Sequence, residues 1–404
     1  MRLKFHSRLL SVLTAAVMTI FLAGCTSSAE EEASSGTTAE STGAPVATAP
    51  VSTTSSKSEQ PYTDESTGIT YENYSLTGRQ DEQFELPLIG ATGFASMELF
   101  LLDSPSGQNS GHALSPGAAF QILEESGDYW RVQAEGGISG WVEHLYCMVN
   151  LPDILPSIVY NIANASASIY QSSGKDIPDI TGEKLYEAKN NNPRLAREEY
   201  VVPVLYQTAK KIAIVQEMAR AQGETLVMVE AFRPYDTQLL IAEKLTALVK
   251  QDPEVAAGVT SSPWGIGWFI ANRISSHQKG CAMDVSLAKV TRIHREKTGS
   301  YVYDKVTEYT EYSMPTPMHE LSNRAVSLSK PVSSTSPTAW KNVSPAQTMT
   351  ESALKLRDYC VKAGMSPLAS EWWHFNDLEA SSAIGDRYMR TAFTMTDCMS
   401  DIPF

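Results

Sequence analysis

A larger α+β domain over residues 151–404, preceded by a small all-β unit over residues 81–150, is the fold class this 404-residue chain predicts. Three observations predict it. Residues 26–80 are rich in Ser, Thr, Ala, Glu and Pro and almost empty of large apolar side chains, which sets the N-terminus apart from the folded part. Residues 86–149 read as short apolar runs cut by Gly, Pro, Asp and Ser, the pattern of strands joined by turns. Beyond residue 151, helical periodicity stands beside β-branched runs, over a length sufficient for a full core.

Composition narrows the function classes. Hydrophobic residues make up 42% of the chain and charged residues 19%, which suits a folded, soluble protein rather than a tail. Asp and Glu number 46 against 32 Lys and Arg, so the formal net charge is −14. Nucleic-acid binding needs a basic face to neutralise phosphates, and this balance speaks against it.

Residues 1–25 read as an export signal: Arg2, Lys4 and Arg8 start it, and residues 9–23 form an apolar stretch too short to span a bilayer comfortably. It closes on Leu22-Ala23-Gly24-Cys25, which resembles the lipobox of bacterial lipoproteins. The resemblance implies lipidation at Cys25 and an extracytoplasmic chain held at the membrane by acyl chains alone. An ordinary secretory signal with a chance Cys is the other reading. Residues 26–80 then serve as a disordered tether, because they bury too little surface to offset the entropy of ordering. Four cysteines follow Cys25: Cys147, Cys281, Cys360 and Cys398. Export permits up to two disulfides among them; Cys360 with Cys398 is one option, and the sequence leaves the pairing open.

Within residues 81–150, strands are expected at 94–102, 120–123, 129–132 and 140–142. The pieces Gly127-Asp128-Tyr129-Trp130-Arg131-Val132 and Ser139-Gly140-Trp141-Val142 resemble bacterial SH3-like domains. The resemblance implies a small barrel of a kind that commonly binds cell-wall peptides. Trp130 and Trp141 read equally well as core aromatics of that barrel.

In the larger domain, Leu205, Ala209, Ile212, Val215 and Ala219 recur at helical spacing, predicting a helix over 204–222 with Gly223 as its left-handed cap. Residues 225–230 read as a buried strand leading to Arg233, which Pro234 holds in an extended or turn geometry. Asp236 is expected to cap a second helix that ends before Asp252-Pro253. Residues 262–270 form a Gly- and Trp-rich loop at the border of a pocket. Residues 288–312 are polar with β-like tyrosines, and Pro315 and Pro317 exclude regular structure over 313–320. A third helix covers 351–363, closed by Gly364.

The chemistry concentrates in few residues. This domain holds four histidines: His277, His294, His319 and His374. A hydrolytic zinc centre needs three protein ligands, an open position for water and a carboxylate beside that water. His277, Asp284 and His374 can supply the ligands, and Glu371 stands three residues before the third. Arg233 can meet the charge that develops on a scissile carbonyl, because a guanidinium stays charged and donates in a fork. Each residue also has a structural reading: Arg233 as partner of Glu230 or Asp236, His374 as a core histidine, Asp284 as a cap. Cys281, between two ligands, reads as a packing residue, half of a disulfide or a competing thiolate.

Taken together, Ser275-x-His277-x-x-Gly280-x-Ala282-x-Asp284 and, much later, Glu371-x-Trp373-His374 resemble the zinc D,D-peptidases, a family of D-alanyl-D-alanine dipeptidases and D,D-carboxypeptidases. The turn Glu230-Ala231-Phe232-Arg233-Pro234 and the paired Ser275-Ser276 are most similar to the dipeptidase branch. The resemblance implies an antiparallel sheet with flanking helices, one Zn2+ on His277, Asp284 and His374, Glu371 as base, Arg233 on the transition state and Ser275 near the substrate. It keeps Cys281 off the metal. It departs at His319, where the dipeptidases tend to carry an Asp for the substrate ammonium; Glu320 is the candidate to take over. The expected activity is hydrolysis of D-alanyl-D-alanine at the cell surface. A D,D-carboxypeptidase trimming peptidoglycan stem peptides, or an inactive cell-wall-binding lipoprotein, are the alternatives.

Overall fold

The computed structural model describes residues 60–385. The expected export signal with Cys25, the expected tether as far as residue 59, and Cys398 lie outside the described residues.

Chain order starts where disorder was expected to continue. Tyr62–Thr63 (β1) and Thr70–Glu72 (β2) pair antiparallel. Ile69 beside them is buried against Val290, Ile293 and Val306, with Tyr71 packed on the same group. Two apolar side chains that the Ser-rich stretch before them lacks are enough to fix this segment, so the tether ends earlier than residue 80.

Seven strands follow: Thr92–Ala95 (β3), Leu99–Leu102 (β4), Asn109–Leu114 (β5), Ala119–Ser126 (β6), Tyr129–Ala134 (β7), Ser139–Glu143 (β8) and Cys147–Asn150 (β9). They pair antiparallel in the order β9-β3-β6-β7-β8-β4-β5. In β7 the period of two puts Trp130, Val132 and Ala134 inward and leaves Arg131 exposed. Val159–Tyr160 (β10) and two small hairpins, Gln171–Ser172 with Lys175–Asp176 (β11, β12) and Lys189–Asn192 with Arg197–Tyr200 (β13, β14), come next. Pro203–Leu205 (β15) then returns to the first sheet and pairs with β9, Leu205 opposite Met148. This strand was hidden in the sequence inside the expected helix over 204–222.

Tyr206–Arg220 (α1) leaves β15 directly and buries Ala209, Ile212, Val215 and Ala219 on one face. Gly223, at φ +70°, turns the chain into Glu224–Glu230 (β16). Tyr235–Gln251 (α2) starts at Pro234, not Asp236, which sits in the first turn instead. Asp252 does end α2, and it also begins Pro253–Thr260 (α3) by accepting the amides of Glu254 and Val255 at 2.9 and 3.1 Å. Ala282–Thr298 (β17) and Tyr301–Glu311 (β18) make one long hairpin across the region read only as polar and β-like. Glu351–Lys362 (α4), Ser366–Pro367 (β19), His374–Asn376 (β20) and Leu378–Ile384 (α5) complete the described chain.

The second sheet centres on β17, flanked by β16, β18, β2 and β20. It is mixed rather than antiparallel throughout, because β10 runs parallel to β16 and β2 parallel to β17. One apolar core reaches without a break from Phe84 to Ile384 and takes in Trp130 of the first sheet and Trp373 of the second. Cys147, Cys281 and Cys360 are free thiols inside it.

Candidate metal centre

Strand register builds the centre. Across the second sheet Glu230 lies opposite Asp284, and Asp284 opposite His374, so three strands deliver three polar side chains in one row. A bulge in β16 between Met228 and Glu230 re-aims the end of that strand. His277 arrives from the turn before β17, which Gly280 closes at φ +66° with its amide on the His277 carbonyl at 3.0 Å.

His277, Asp284 and His374 are all buried, and one ligand atom of each lies within 4.8 Å of the others. His277 Nε2 is 3.1 Å from His374 Nδ1 and 3.4 Å from Asp284 Oδ2, while His374 Nδ1 is 2.9 Å from Asp284 Oδ1. Two ligands held about 2.0–2.1 Å from a tetrahedral ion stand about 3.4 Å apart, so these separations are close to those of a ready-made ligand set. Outer partners fix the rings. His277 Nδ1 is 2.6 Å from the Ala231 carbonyl, which only accepts, so that nitrogen carries the proton and Nε2 turns its lone pair inward. His374 Nε2 similarly faces Asn376 Oδ1 at 3.0 Å, leaving Nδ1 for the centre. Acceptors converging from three sides at such distances need a positive charge among them, which the Arg233 guanidinium, a proton or a metal can supply. Two imidazoles and one carboxylate are a donor set that suits Zn2+.

Electrostatics agree. Burial, then the neighbouring Arg233, hold His277 below its usual value and keep it neutral. Burial also acts against a charged His374, yet Asp284 outweighs it and holds His374 above the ordinary imidazole value. Burial disfavours the Asp284 carboxylate, but His277 and the other histidines hold it well below the usual range. Glu371 is buried, with Oε2 3.8 Å from His374 Nδ1, and burial pushes it up to about 8 against the pull of His374.

Arg233 sits at the edge of the set, with Nη2 3.1 Å from Asp284 Oδ2 and 3.3 Å from His277 Nε2. Its structural partner is Glu230, not Asp236: Nε donates to Glu230 Oε2 at 2.6 Å, and Nη1 donates to Gln238 at 2.8 Å. Glu230 also receives Asn164 at 2.5 Å, Tyr170 at 3.1 Å and Tyr186 at 3.2 Å. That saturation leaves it no oxygen for a metal ion: of the neighbouring group of Glu230, Asp284 and His319, the two carboxylates hold Arg233.

Ser275 takes a local part: its amide and hydroxyl both reach Gln278 Oε1, at 2.6 and 2.9 Å, and its oxygen receives the His277 amide at 3.3 Å. Glu320 is engaged locally. Its oxygens accept the amides of Ser173 and Gly174, at 2.5 and 2.9 Å, and the Ser322 hydroxyl, so it is spent on a loop and not offered to a ligand. His319 is fully buried at φ +61°, stacked on Tyr170 at 4.1 Å, with Nε2 3.2 Å from Asp284 Oδ2. Gln238, Gln278, Tyr170 and Asn376 support the centre and were not singled out in the sequence. Nothing marks a buried Gln or Asn before its partner is known. Cys281 is off the set, its thiol pushed up to about 12 by burial.

These features define a class of site, a buried His-Asp-His cluster with an acid and an arginine at its edge. The sequence matches no described protein family and no curated protein. Among solved structures, the chain is similar to VanYB in complex with D-Alanine-D-Alanine, at 13% identity and TM-score 0.23, over 58% of this chain and 98% of that one. It is similar also to a mutant of the vancomycin resistance D,D-pentapeptidase VanY from the VanB-type resistance cassette in complex with Zn(II), at 13% identity and TM-score 0.23, over 55% of this chain and 92% of that one. At that distance neither structure assigns a reaction to this chain.

Proposed function

We propose that the chain is a zinc-dependent peptidase that acts on peptides ending in D-alanyl-D-alanine, held outside the cytoplasmic membrane by lipid at Cys25. The observation that carries the hydrolytic part is the pair of inward lone pairs of His277 and His374, 3.1 Å apart, with Asp284 beside them and Glu371 within 3.8 Å of the second. A metal held by His277, Asp284 and His374 would supply Lewis acidity there, polarising a carbonyl and lowering the pKa of water towards about 7. Glu371 takes the proton of the attacking water and delivers it to the leaving amine. Arg233, held by Glu230 and Gln238, aims a fixed positive charge at the oxygen that gains charge. Ser275 and Gln278 hold the His277 turn in place. The D configuration of the substrate rests on the motif resemblance.

Within this reading, the residues favour a longer, acylated peptide over the free dipeptide. A free dipeptide brings an ammonium that asks for a carboxylate. Glu230, Asp284 and Glu320 are each engaged, His319 is buried beneath Asp284, and Glu371 is needed as base. The test gives the zinc-loaded chain free D-alanyl-D-alanine and, separately, a pentapeptide ending in the same pair, with the L,L pentapeptide as control. Turnover of the D,D pentapeptide is expected; turnover of the free dipeptide alone would reverse the preference. Absence of stoichiometric zinc after reconstitution would replace the enzyme with a wall-binding lipoprotein.

A further inference from the structure

Trp130 invites a role in binding wall peptides, yet it is fully buried and its partner is the chain itself. Tyr206, the first residue of α1, meets the Trp130 ring at 4.7 Å and the His144 ring at 5.0 Å, both edge to face. Its hydroxyl donates to Glu125 Oε1 at 3.0 Å, the atom that also receives the Trp130 indole at 3.0 Å. The first sheet therefore holds the start of α1 in an aromatic box.

That start touches both halves of the metal centre. The Leu205 amide donates to the Gly280 carbonyl at 2.8 Å, inside the turn that separates His277 from Asp284. Gly280 also lies against Met148 of β9: a Cβ there would come 2.7 Å from Met148 Cε and 3.0 Å from the Leu205 amide nitrogen. One turn into α1, Thr208 donates to Asp377 at 3.1 Å and Lys211 pairs with it at 2.6 Å. Asp377 follows β20, which carries His374, and its amide is on the Cys281 carbonyl at 2.8 Å.

We propose that the first sheet is a clamp on the metal centre: by seating Tyr206 it fixes the first turn of α1, which sets the spacing between the His277–Asp284 turn and the His374 strand. The inference rests on the metal reading above. Tyr206, Leu205, Thr208 and Met148 are positioning residues, because none is offered as a ligand. Partners of ligands typically change metal affinity by about tenfold to a hundredfold when lost, and the same range is expected when the clamp is released.

The full chain is stripped of metal and titrated with cobalt(II), reading the dissociation constant and the visible ligand-field spectrum, with Tm recorded alongside. Tyr206→Ala should weaken binding about tenfold or more and change the spectrum, while Tyr206→Phe, which keeps the ring in the box, should resemble the wild type. Ile122→Ala, in the core of the first sheet but outside the box, should lower Tm and leave the cobalt constant and spectrum alone. If Tyr206→Ala does not fold, Met148→Ala is read by the same criteria. A folded variant with unchanged affinity and spectrum overturns the clamp, as does an Ile122→Ala loss of affinity equal to that of the clamp variant. A wild-type chain that binds no cobalt removes the metal reading and this inference with it, whereas unaffected variants of a cobalt-binding chain remove the clamp alone.

Discussion

Glu371 and His374 lie three residues apart on one stretch, so the proposed acid–base group travels with a proposed ligand and its reach is fixed by local chain geometry. Removing its charge separates the two roles. Glu371→Gln should retain stoichiometric zinc and lose about a hundredfold or more in hydrolysis; near-normal turnover in that variant would remove Glu371 as base. Metal binding should also report the proton on His374. Asp284 holds that imidazole above its ordinary value despite burial, so in the metal-free chain the proton stabilises the fold. The sign follows: this stabilisation is fully present below the unfolded histidine value and is lost as pH rises through the raised one. His277 is shifted the other way by burial, stabilising the neutral form above the unfolded value and losing that as pH falls. A metal must displace the proton that Asp284 favours on His374, so the gain in Tm on adding zinc should grow from pH 5.5 to pH 8. A gain that is flat or falls with pH would point away from these histidines as ligands.

At the scale of elements, the sequence disclosed what is local and concealed what is paired at a distance. The buried faces of α1 and α4 follow from 3.6-residue spacing, and the sequence pattern singles out His277, Asp284, His374 and Glu371, which the fold brings together. The partners of Glu320 were concealed because they are amides of Ser173 and Gly174, supplied by a loop far back in the chain. β15 was misread because a three-residue strand carries no period of its own, and its identity comes from β9. The start of α3 was missed because Asp252-Pro253 was read as a stop alone, although Asp before Pro is equally a cap with Pro at the first helical position. Asp252→Ala therefore has a plain expected outcome. It removes the acceptor of two α3 amides and the partner of Lys175, which should lower Tm and leave kcat unchanged. Loss of turnover at unchanged Tm would mean α3 does more than support.

For the molecule as a whole, the shared core changes the meaning of the two-part organisation read in the sequence. A boundary at residue 150 looks convenient, but β15 lies beyond it and hydrogen-bonds across it. Cutting there leaves Leu205 and Tyr206, both buried in the intact chain, without their covers. A chain starting at residue 151 is expected to lack a cooperative thermal transition by circular dichroism. A sharp transition at the Tm of the longer chain would show the second sheet to be self-sufficient.

The row Glu230, Asp284, His374 has a further consequence, for the rate at which backbone amides trade their protons with solvent. The Val285 amide, next to Asp284, is bonded to the Trp373 carbonyl, next to His374. Ligand-bearing strands in the middle of a sheet open only when the sheet itself opens. Deuterium uptake at Val285 should therefore be among the slowest in the protein and follow global unfolding, even without metal. Uptake there as fast as in an exposed loop would mean that the centre opens by a private route; slow uptake would mean that its walls stand before any metal arrives.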